Sequence, residues 1–497
     1  MKMKVLLISP YSDIASIGLR IIAACARDAG YDVLMAFVPN TPDEESRLDD
    51  GDHTYPPTVS ELLADLAAAC DVVGITVMTN YVHRAAELTR IARQKGSPVI
   101  VWGGIHPTVQ PAECLKIADY VVIGEGEEAF CDLLAALETQ ADPCSIPNIA
   151  CRTGDTVHCA DARPLKQDLD TLPFPDYGPE NHYVWDREAG GLVPMTLALL
   201  EKHLALGPIS RIRRTVTYQT MATRGCPHRC AYCCNDALQE LYKGQTHLRR
   251  RSYQNVLDEI STAIQKYPFI SGVGFSDDSF FVASDSSIEQ FAVAYRQHIG
   301  LPFFCLGSPL TITERKLVAL LDAGMYGLQM GVQTGSPRIQ ALYNRPISNK
   351  KVLEAVNLLH RYSDRMVPPT YDFIIDSPWE TPADITETLQ LVRQFPRPYR
   401  LQLFSLVIFP GTALYHKAVA ENRFDSGMAE KREYHKRQAI YPNIVLGLYR
   451  HNIPKPILDA LSHPAMVKIF HRKIFNPLYR VFYALARMLN RVILKKK

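Results

Sequence analysis

Nowhere in its 497 residues does the chain hold the run of about 18 apolar residues that a bilayer-spanning helix needs, so no such helix is expected. An excess of one charge is also missing. The 54 Lys and Arg offset 52 Asp and Glu to leave +2 at pH 7, too little for a whole-chain attraction to nucleic acid. There is no internal repeat and no low-complexity tract. The apolar run in the opening Met-Lys-Met-Lys-Val-Leu-Leu-Ile-Ser-Pro is too short and too soon broken for a signal peptide. Twelve cysteines in a chain of this length are too sparse for a disulfide framework. These absences lead to the expectation of a cytoplasmic protein in a reducing environment. What is present is globular material, 47% hydrophobic and 21% charged, long enough for roughly two to four domains.

Cys226, Cys230 and Cys233 lie in the run Thr-Arg-Gly-Cys-Pro-His-Arg-Cys-Ala-Tyr-Cys-Cys, residues 223–234. Thiolates at C-x3-C-x2-C spacing can hold three corners of a cubane [4Fe–4S] cluster, which four cysteines normally close. Three ligands leave one iron open, and an open metal position is where a substrate or cosubstrate binds. Two plainer readings compete. Three buried cysteines can fall at this spacing by chance, and a zinc site would want a second Cys or Cys/His pair at ligand spacing. His228 lies between the first two cysteines, too close to complete a tetrahedron easily. Cys234 directly follows Cys233, and because neighbouring side chains diverge it is placed outside the cluster. The spacing, the Gly-Cys-Pro opening and Tyr232 before the third cysteine together resemble the signature of radical S-adenosylmethionine (SAM) enzymes. The resemblance makes Cys226, Cys230 and Cys233 the cluster ligands and the catalytic centre, with Tyr232 among the cofactor-binding residues.

The first third of the chain alternates strands and helices. Residues 4–8, 33–38, 71–77, 98–102 and 120–123 read as buried parallel strands, with helices over about 18–29 and 82–95 and a third that follows Gly124-Glu-Gly-Glu-Glu128 and runs through Leu137. That alternation predicts a doubly wound α/β sheet, flavodoxin- or Rossmann-like, with ligands beyond the carboxyl ends of its strands. The first loop reads Asp13-Ile-Ala-Ser-Ile-Gly18. Proteins that bind vitamin B12 through a histidine carry Asp-x-His-x-x-Gly at this point of a similar fold. Ala15 stands at the His position and cannot ligate cobalt, so no histidine of this loop replaces the nucleotide base of any bound cobalamin. An ordinary loop of a flavodoxin-like domain is the competing reading. Further on come Gly103-Gly-Ile-His-Pro-Thr108, Gly124-Glu-Gly-Glu-Glu128 and Leu172-Pro-Phe-Pro-Asp176. In this order upstream of the cysteines, they resemble the N-terminal half of cobalamin-dependent radical SAM enzymes, over roughly residues 1–425. Gly103, Gly104, Gly124 and Gly126 would let the backbone approach the corrin where a Cβ would obstruct it, and the resemblance places Glu125 among the cofactor-binding residues with them. His106 is a candidate axial ligand, but a loop-shaping role before Pro107 is the preferred reading.

Residues 142–215 hold many prolines and read as a connector, with a small hairpin at 155–157. From residue 217 the β/α pattern resumes, with strands over 217–222, 272–276, 303–307, 327–332, 370–375 and 400–408. Six units predict a partial (β/α)6 TIM-type barrel with its site at the C-terminal ends of the strands. The resemblance places Asp277, and less so Asp278, at the amino group of SAM. It puts Gln333, where Glu is usual, at a ribose hydroxyl, and Arg345 at the SAM carboxylate. Ile375-Asp-Ser-Pro-Trp379 departs from the usual Gly-x-Pro-Gly and puts the adenine contacts in doubt. The expected domains are 1–141, 142–215, 216–425 and a basic helical extension, 426–497.

A charged helix is expected over 431–437, and from Met466 onward there is no acidic residue. Arg480, Arg487 and Arg491 would share one face of a helix with apolar residues between them, which suits an anionic membrane surface. Docking on the barrel and, less favoured, nucleic-acid contact are the alternatives. The resemblance implies a [4Fe–4S] cluster, SAM and cobalamin, a 5′-deoxyadenosyl radical, and methylation of an unactivated carbon. The basic tail makes a lipid the preferred substrate class, with a peptide or antibiotic intermediate as the alternative. A reductant such as flavodoxin or ferredoxin would supply electrons. Radical cyclisation, rearrangement or oxidation without methyl transfer is the alternative within enzymes. Methylthiolation would want domains not found here, and a cobalamin-binding sensor would leave the cysteines without a purpose.

Overall fold

A computed structural model describes residues 2–11, 13–39, 54–423, 438, 440–451, 453–470, 472–475, 477–479 and 481. The chain divides into two compact units, the first comprising Met1–Asp278, Ala294–Phe304 and Ile408–Glu433, the second Ser279–Val293, Cys305–Val407 and Tyr434–Lys497.

The first unit is built on nine strands. These are β1 (Lys4–Ser9), β2 (Asp32–Phe37), β3 (Val72–Thr76), β4 (Val99–Gly103), β5 (Tyr120–Val122), β6 (Ile149–Thr153), β7 (Thr156–Cys159), β8 (His182–Asp186) and β9 (Gly191–Pro194). They lie in the order β7-β6-β5-β4-β3-β1-β2-β8-β9. The central strands pair in parallel, as the continuous apolar runs require: Val5, Leu6, Leu7 and Ile8 of β1 are all buried. The strand order reverses at β1, so the loops after β1 and β3 part there and leave a crevice. The helix Pro57–Ala68, not foreseen from the sequence, buries Val59, Leu63, Ala64 and Ala67 in the same core.

Segment 142–215 is not the connector expected. It adds the hairpin β6–β7 antiparallel to β5 at one edge, and β8, parallel to β2, with β9 at the other. His182, Val184 and Asp186 are buried and alternate with more open Tyr183 and Trp185, a half-buried edge pattern among the prolines. Cys144 and Cys151, the latter within β6, form a disulfide, and the other ten cysteines form none.

The remaining parallel strands are β10 (Thr217–Thr220), β13 (Gly272–Phe275), β14 (Phe303–Gly307), β15 (Met325–Gln333), β16 (Thr370–Ile375) and β17 (Arg400–Ser405). The unit boundary falls inside β14. The parallel pairings of β10 with β13 and of β13 with Phe303 and Phe304 belong to the first unit, and those among β15, β16 and β17 to the second. A two-stranded ribbon, β11 (Thr223–Arg224) with β12 (Arg249–Arg250), completes the first unit.

In the second unit the helices Tyr441–Leu448, Lys455–Leu461 and Pro464–Phe470 are followed by a 3-10 turn, Lys473–Phe475, and the last described residue is Val481. Among the described residues no helix is long and apolar enough to cross a membrane. The expected helix over 431–437 and the face carrying Arg480, Arg487 and Arg491 lie outside the described residues.

Candidate active site

The three-cysteine loop is fixed at both ends. Strand β10 leads into Ala222 and Thr223, whose backbone N–H and hydroxyl donate to the two carboxylate oxygens of Asp277 at 3.2 and 2.6 Å. Gly225 follows with φ +84°, where a Cβ would stand 2.9 Å from the carbonyl carbon of His247 and closer still to its oxygen. Beyond the third cysteine the helix Cys234–Leu241 turns back. Its Gln239 amide donates to the carbonyls of Cys226 and His228 at 2.9 and 3.0 Å.

Cys230 is buried, and Cys226 and Cys233 are partly so. Burial pushes the Cys226 thiol up to about 11, against a backbone N–H at His228, and Asp278, Cys230 and Cys233 add to it electrostatically. The three thiols are thus within electrostatic reach of one another, although no group of three His, Cys, Asp or Glu side chains among the described residues is drawn to metal-binding distance. Three soft thiolates on one short loop are donors suited to an iron–sulfur cluster, and the cluster's positive charge offsets the cost of their deprotonation. The Asn235 amide reaches the Cys233 sulfur at 3.7 Å, the kind of neighbour that tunes such sulfurs. Cys234, directly after it, is hydrogen-bonded to Cys233. Tyr232 is partly buried on the same loop.

Beside Cys226 lies a cavity of about 220 Å³, lined in part by Asn235, Ser276, Asp278, Arg224 and Arg249. The two acids after β13 part company there. Asp277 is fully buried and turned to Ala222 and Thr223, while Asp278 lines the cavity and accepts from the Asn235 amide at 3.2 Å. Asp277, preferred from the sequence for the SAM amino group, therefore braces the cluster loop instead.

Burial holds the Asp277 carboxyl up at about 6, although Thr223 and backbone N–H groups favour its ionised form. Relative to its ordinary 3.8, that weighs about 3 kcal/mol against ionisation in the folded state. The folded chain therefore holds this proton more tightly than the unfolded chain. The group's stabilising contribution is complete below the ordinary value and is lost as pH rises towards about 6. Asp277→Asn should flatten that slope. In urea unfolding of the cluster-free chain, the wild type should lose stability from pH 4 to 6 at this position and the variant should not. Equal slopes in both would show that Asp277 does not titrate there.

The crevice at the reversal of the first sheet is a second cavity, of about 320 Å³. Six of its lining residues are glycines, Gly18, Gly74, Gly103, Gly104, Gly124 and Gly126. Leu7, Ile22, Val101, Val122 and Phe130 make it largely apolar. A cradle in which glycine takes the place of side chains fits a large flat ligand held close to backbone, as a corrin is. No histidine is among its described lining residues. Ala15 is buried off the cavity, with its N–H on the Asp13 carboxylate at 2.9 Å and its carbonyl accepting from the Tyr177 hydroxyl. His106 is fully buried against Thr79 and likewise does not line it, as a loop-shaping residue would be. Glu125 lines the cavity, but its carboxylate is engaged. It accepts from Arg249 at 2.7 and 2.9 Å and from Arg224 at 3.2 Å. Burial pushes it up, but the two arginines prevail and hold it below the usual carboxylate range.

Met221, Arg224, Gly124 and Glu125 line both cavities, so the two share a wall. Sequence reading missed Arg224, Arg249 and Tyr242. Only the Arg249-Arg-Arg251 run gave a signal, since an inward-facing cation must find a partner.

In the second unit, Gln333 (φ +74°) and Arg345 gather at Gly331, whose carbonyl accepts from the Arg345 guanidinium at 2.9 Å. Asp376, in the segment that departs from Gly-x-Pro-Gly, keeps a left-handed backbone (φ +62°) of the kind glycine favours. Its carboxylate accepts from Asn443 at 2.5 Å, Ser405 at 2.7 Å and the Gln438 backbone at 3.0 Å.

A glycine-rimmed cavity in a doubly wound sheet, sharing a wall with the cavity beside a three-thiol loop, defines a protein with two adjoining cofactor sites. The B12 binding domain model matches residues 3–134 and the radical SAM superfamily model residues 220–392. The chain belongs to the radical SAM enzymes that carry a B12-binding domain, and its cofactors are cobalamin, a [4Fe–4S] cluster and SAM. It is similar to an uncharacterized methyltransferase of Pyrococcus horikoshii, 27% identical over 71% of this chain and 70% of the relative. It is also similar to the bacteriochlorophyllide d C-8(2)-methyltransferase of Chlorobaculum tepidum, 22% identical over 82% and 80%. Its fold matches that of the radical SAM methyltransferase TsrM from Kitasatospora setae, solved with cobalamin and [4Fe–4S] cluster bound. The TM-score is 0.62 at 18% identity, covering 85% of this chain and 75% of that one.

Proposed function

We infer that the chain methylates an unactivated carbon of a largely apolar substrate. The wall shared by the two cavities carries the reading, because a methyl group and a radical generated on different cofactors must meet over one substrate atom. The relatives named as methyltransferases support it. Cys226, Cys230 and Cys233 hold the cluster, with Tyr232 beside it, and Asp278 faces the ammonium of SAM. Gln333 meets a ribose hydroxyl and Arg345 the SAM carboxylate. Gly103, Gly104, Gly124 and Gly126 admit the corrin, and the Glu125 backbone forms part of its rim. Bound cobalamin would supply a methyl group drawn from one SAM, and the cluster would supply the electron that cleaves a second SAM to a hydrogen-abstracting radical, with electrons from a flavodoxin- or ferredoxin-type reductant.

The apolar substrate class rests on the end of the described chain. Phe470, Phe475 and Tyr479 pack together with Tyr441, while Ile469, Ile474, Leu478 and Val481 of the same segment are exposed, Ile474 by 80%. Lys468 and Arg472 lie among them, and no acidic residue follows Asp459. Exposed aliphatic side chains among cations suit an anionic lipid surface that holds such a substrate.

Anaerobic reconstitution with iron, sulfide and hydroxocobalamin tests the cofactors. About four irons and one corrin per chain are expected. Four irons without corrin would end the methylation reading. With methyl-labelled SAM and an apolar cell extract, the product should carry one added labelled methyl group. A product without the label would favour cyclisation or oxidation. Binding to phosphatidylglycerol vesicles, lost in Ile474→Asp/Leu478→Asp, tests the lipid surface, and equal binding by both forms would overturn it.

A further inference from the structure

We propose that Arg224 is a positioning residue that couples corrin binding to the cluster loop, so that each cofactor tightens the binding of the other. The proposal rests on the two-cofactor reading above and concerns only the wall between the two cavities.

The turn Gly124-Glu125-Gly126 after β5 forms part of the rim of the larger cavity. Its position is set from both sides. From the short helix Ile105–Val109 after β4, the Thr108 hydroxyl accepts the Gly124 N–H at 2.9 Å. From the cluster side come three residues of the cysteine-bearing segment. The Tyr242 hydroxyl accepts the Glu125 N–H at 3.0 Å, and a Cβ on Gly124 would stand 2.8 Å from the Tyr242 ring carbon Cζ. Arg249 donates twice to the Glu125 carboxylate. Arg224 spans the turn, donating to Glu125 at 3.2 Å and to Glu127 at 2.5 Å.

Arg224 stands two residues before Cys226, and its backbone pairs with Arg249 in the β11–β12 ribbon. A displacement of the cluster loop therefore moves the guanidinium that holds both glutamates. The side chains of Arg224, Glu127 and Arg249 are 16%, 10% and 5% exposed, so water cannot readily replace a lost partner. The fork of an arginine also fixes direction as well as charge, which a single ammonium does not. A ligand that orders either side of this wall thus removes part of the ordering cost for the ligand on the other side. That linkage is reciprocal by thermodynamic necessity.

The test is an absorbance titration with hydroxocobalamin of the full chain before and after cluster reconstitution. In the wild type the cluster should tighten corrin binding by at least about 5-fold, the lower end of ordinary coupling between sites. In Arg224→Gln the reconstituted chain should still take up iron and still bind corrin, but the two affinities should agree within about 2-fold. Glu127→Gln, which leaves Arg224 to Glu125 alone, should give an intermediate ratio and serves if the first variant fails to fold. A merely structural ion pair would weaken both affinities alike and leave their ratio unchanged. Equal affinities in the wild type, or an unchanged ratio in the variants, would overturn the coupling and spare the functional reading. No corrin binding in either form would overturn both.

Discussion

Alanine in place of Gly225 should give a folded chain that carries almost no iron. Gly225 sits between Arg224, held in the β11–β12 ribbon, and Cys226, the first cluster ligand. Its φ of +84° already disfavours any side chain, by about 1–2 kcal/mol. The added Cβ also meets the backbone carbonyl of His247, which cannot swing aside as a flexible side chain could. Relief requires the ribbon to open or the loop to move, and either shifts Cys226 relative to Cys230 and Cys233. Overpacking of this kind adds about 1–3 kcal/mol. Gly244 provides the control, because it has the same φ of +84° but nothing within 4 Å of its missing Cβ. Gly244→Ala should cost the backbone strain and keep about four irons per chain. Gly225→Ala should fall below about one. Iron and sulfide analysis after anaerobic reconstitution, with thermal melting of both variants, decides the matter. A full cluster in Gly225→Ala would show that the loop tolerates a shift its hydrogen bonds argue against.

What the sequence disclosed and what it hid follow from how far each signal reaches along the chain. Strands β1, β3, β4 and β16 were legible because an apolar run bounded by turns is local information. The cysteine loop was legible because its ligands lie within eight residues of one another. The choice between Asp277 and Asp278 was not. Consecutive residues leaving a strand point to opposite sides, and which one faces inward depends on the register of β13 against β10. The Arg224–Glu127 pair joins residues 97 apart and leaves no periodic trace. The strands β8 and β9 were hidden by the prolines that flank them. Asp376 shows the reverse case, where the sequence flagged the loss of a glycine but could not show that three donors hold the aspartate in the conformation glycine favours. Most of the architecture was thus readable, whereas the site's polar contacts between distant segments were not.

Leucine at position 103 should abolish corrin binding and leave the cluster intact, a result that separates the two cofactor sites cleanly. Gly103 ends β4 and lines the larger cavity, and its missing Cβ would meet only the Val122 Cβ at 3.6 Å, ordinary van der Waals contact. Its φ is not in the left-handed region, so a side chain is tolerated by the backbone. A leucine there has room only by filling the space the corrin needs. The adjacent Gly104 is the opposite case. Its φ is +106°, and a Cβ would lie 3.0 Å from the Val77 carbonyl oxygen, so Gly104→Ala strains the backbone whether or not a ligand is present. Gly103→Leu should therefore melt close to the wild type, take up about four irons, and show no corrin absorbance after gel filtration. Gly104→Ala should lower stability by about 1–3 kcal/mol and weaken corrin binding only in proportion to that distortion. If Gly103→Leu retained a full complement of corrin, the 320 Å³ cavity would not be the corrin site, and the shared wall would separate the cluster from some other ligand. If it lost iron as well, the two sites would be more strongly coupled than one arginine can explain.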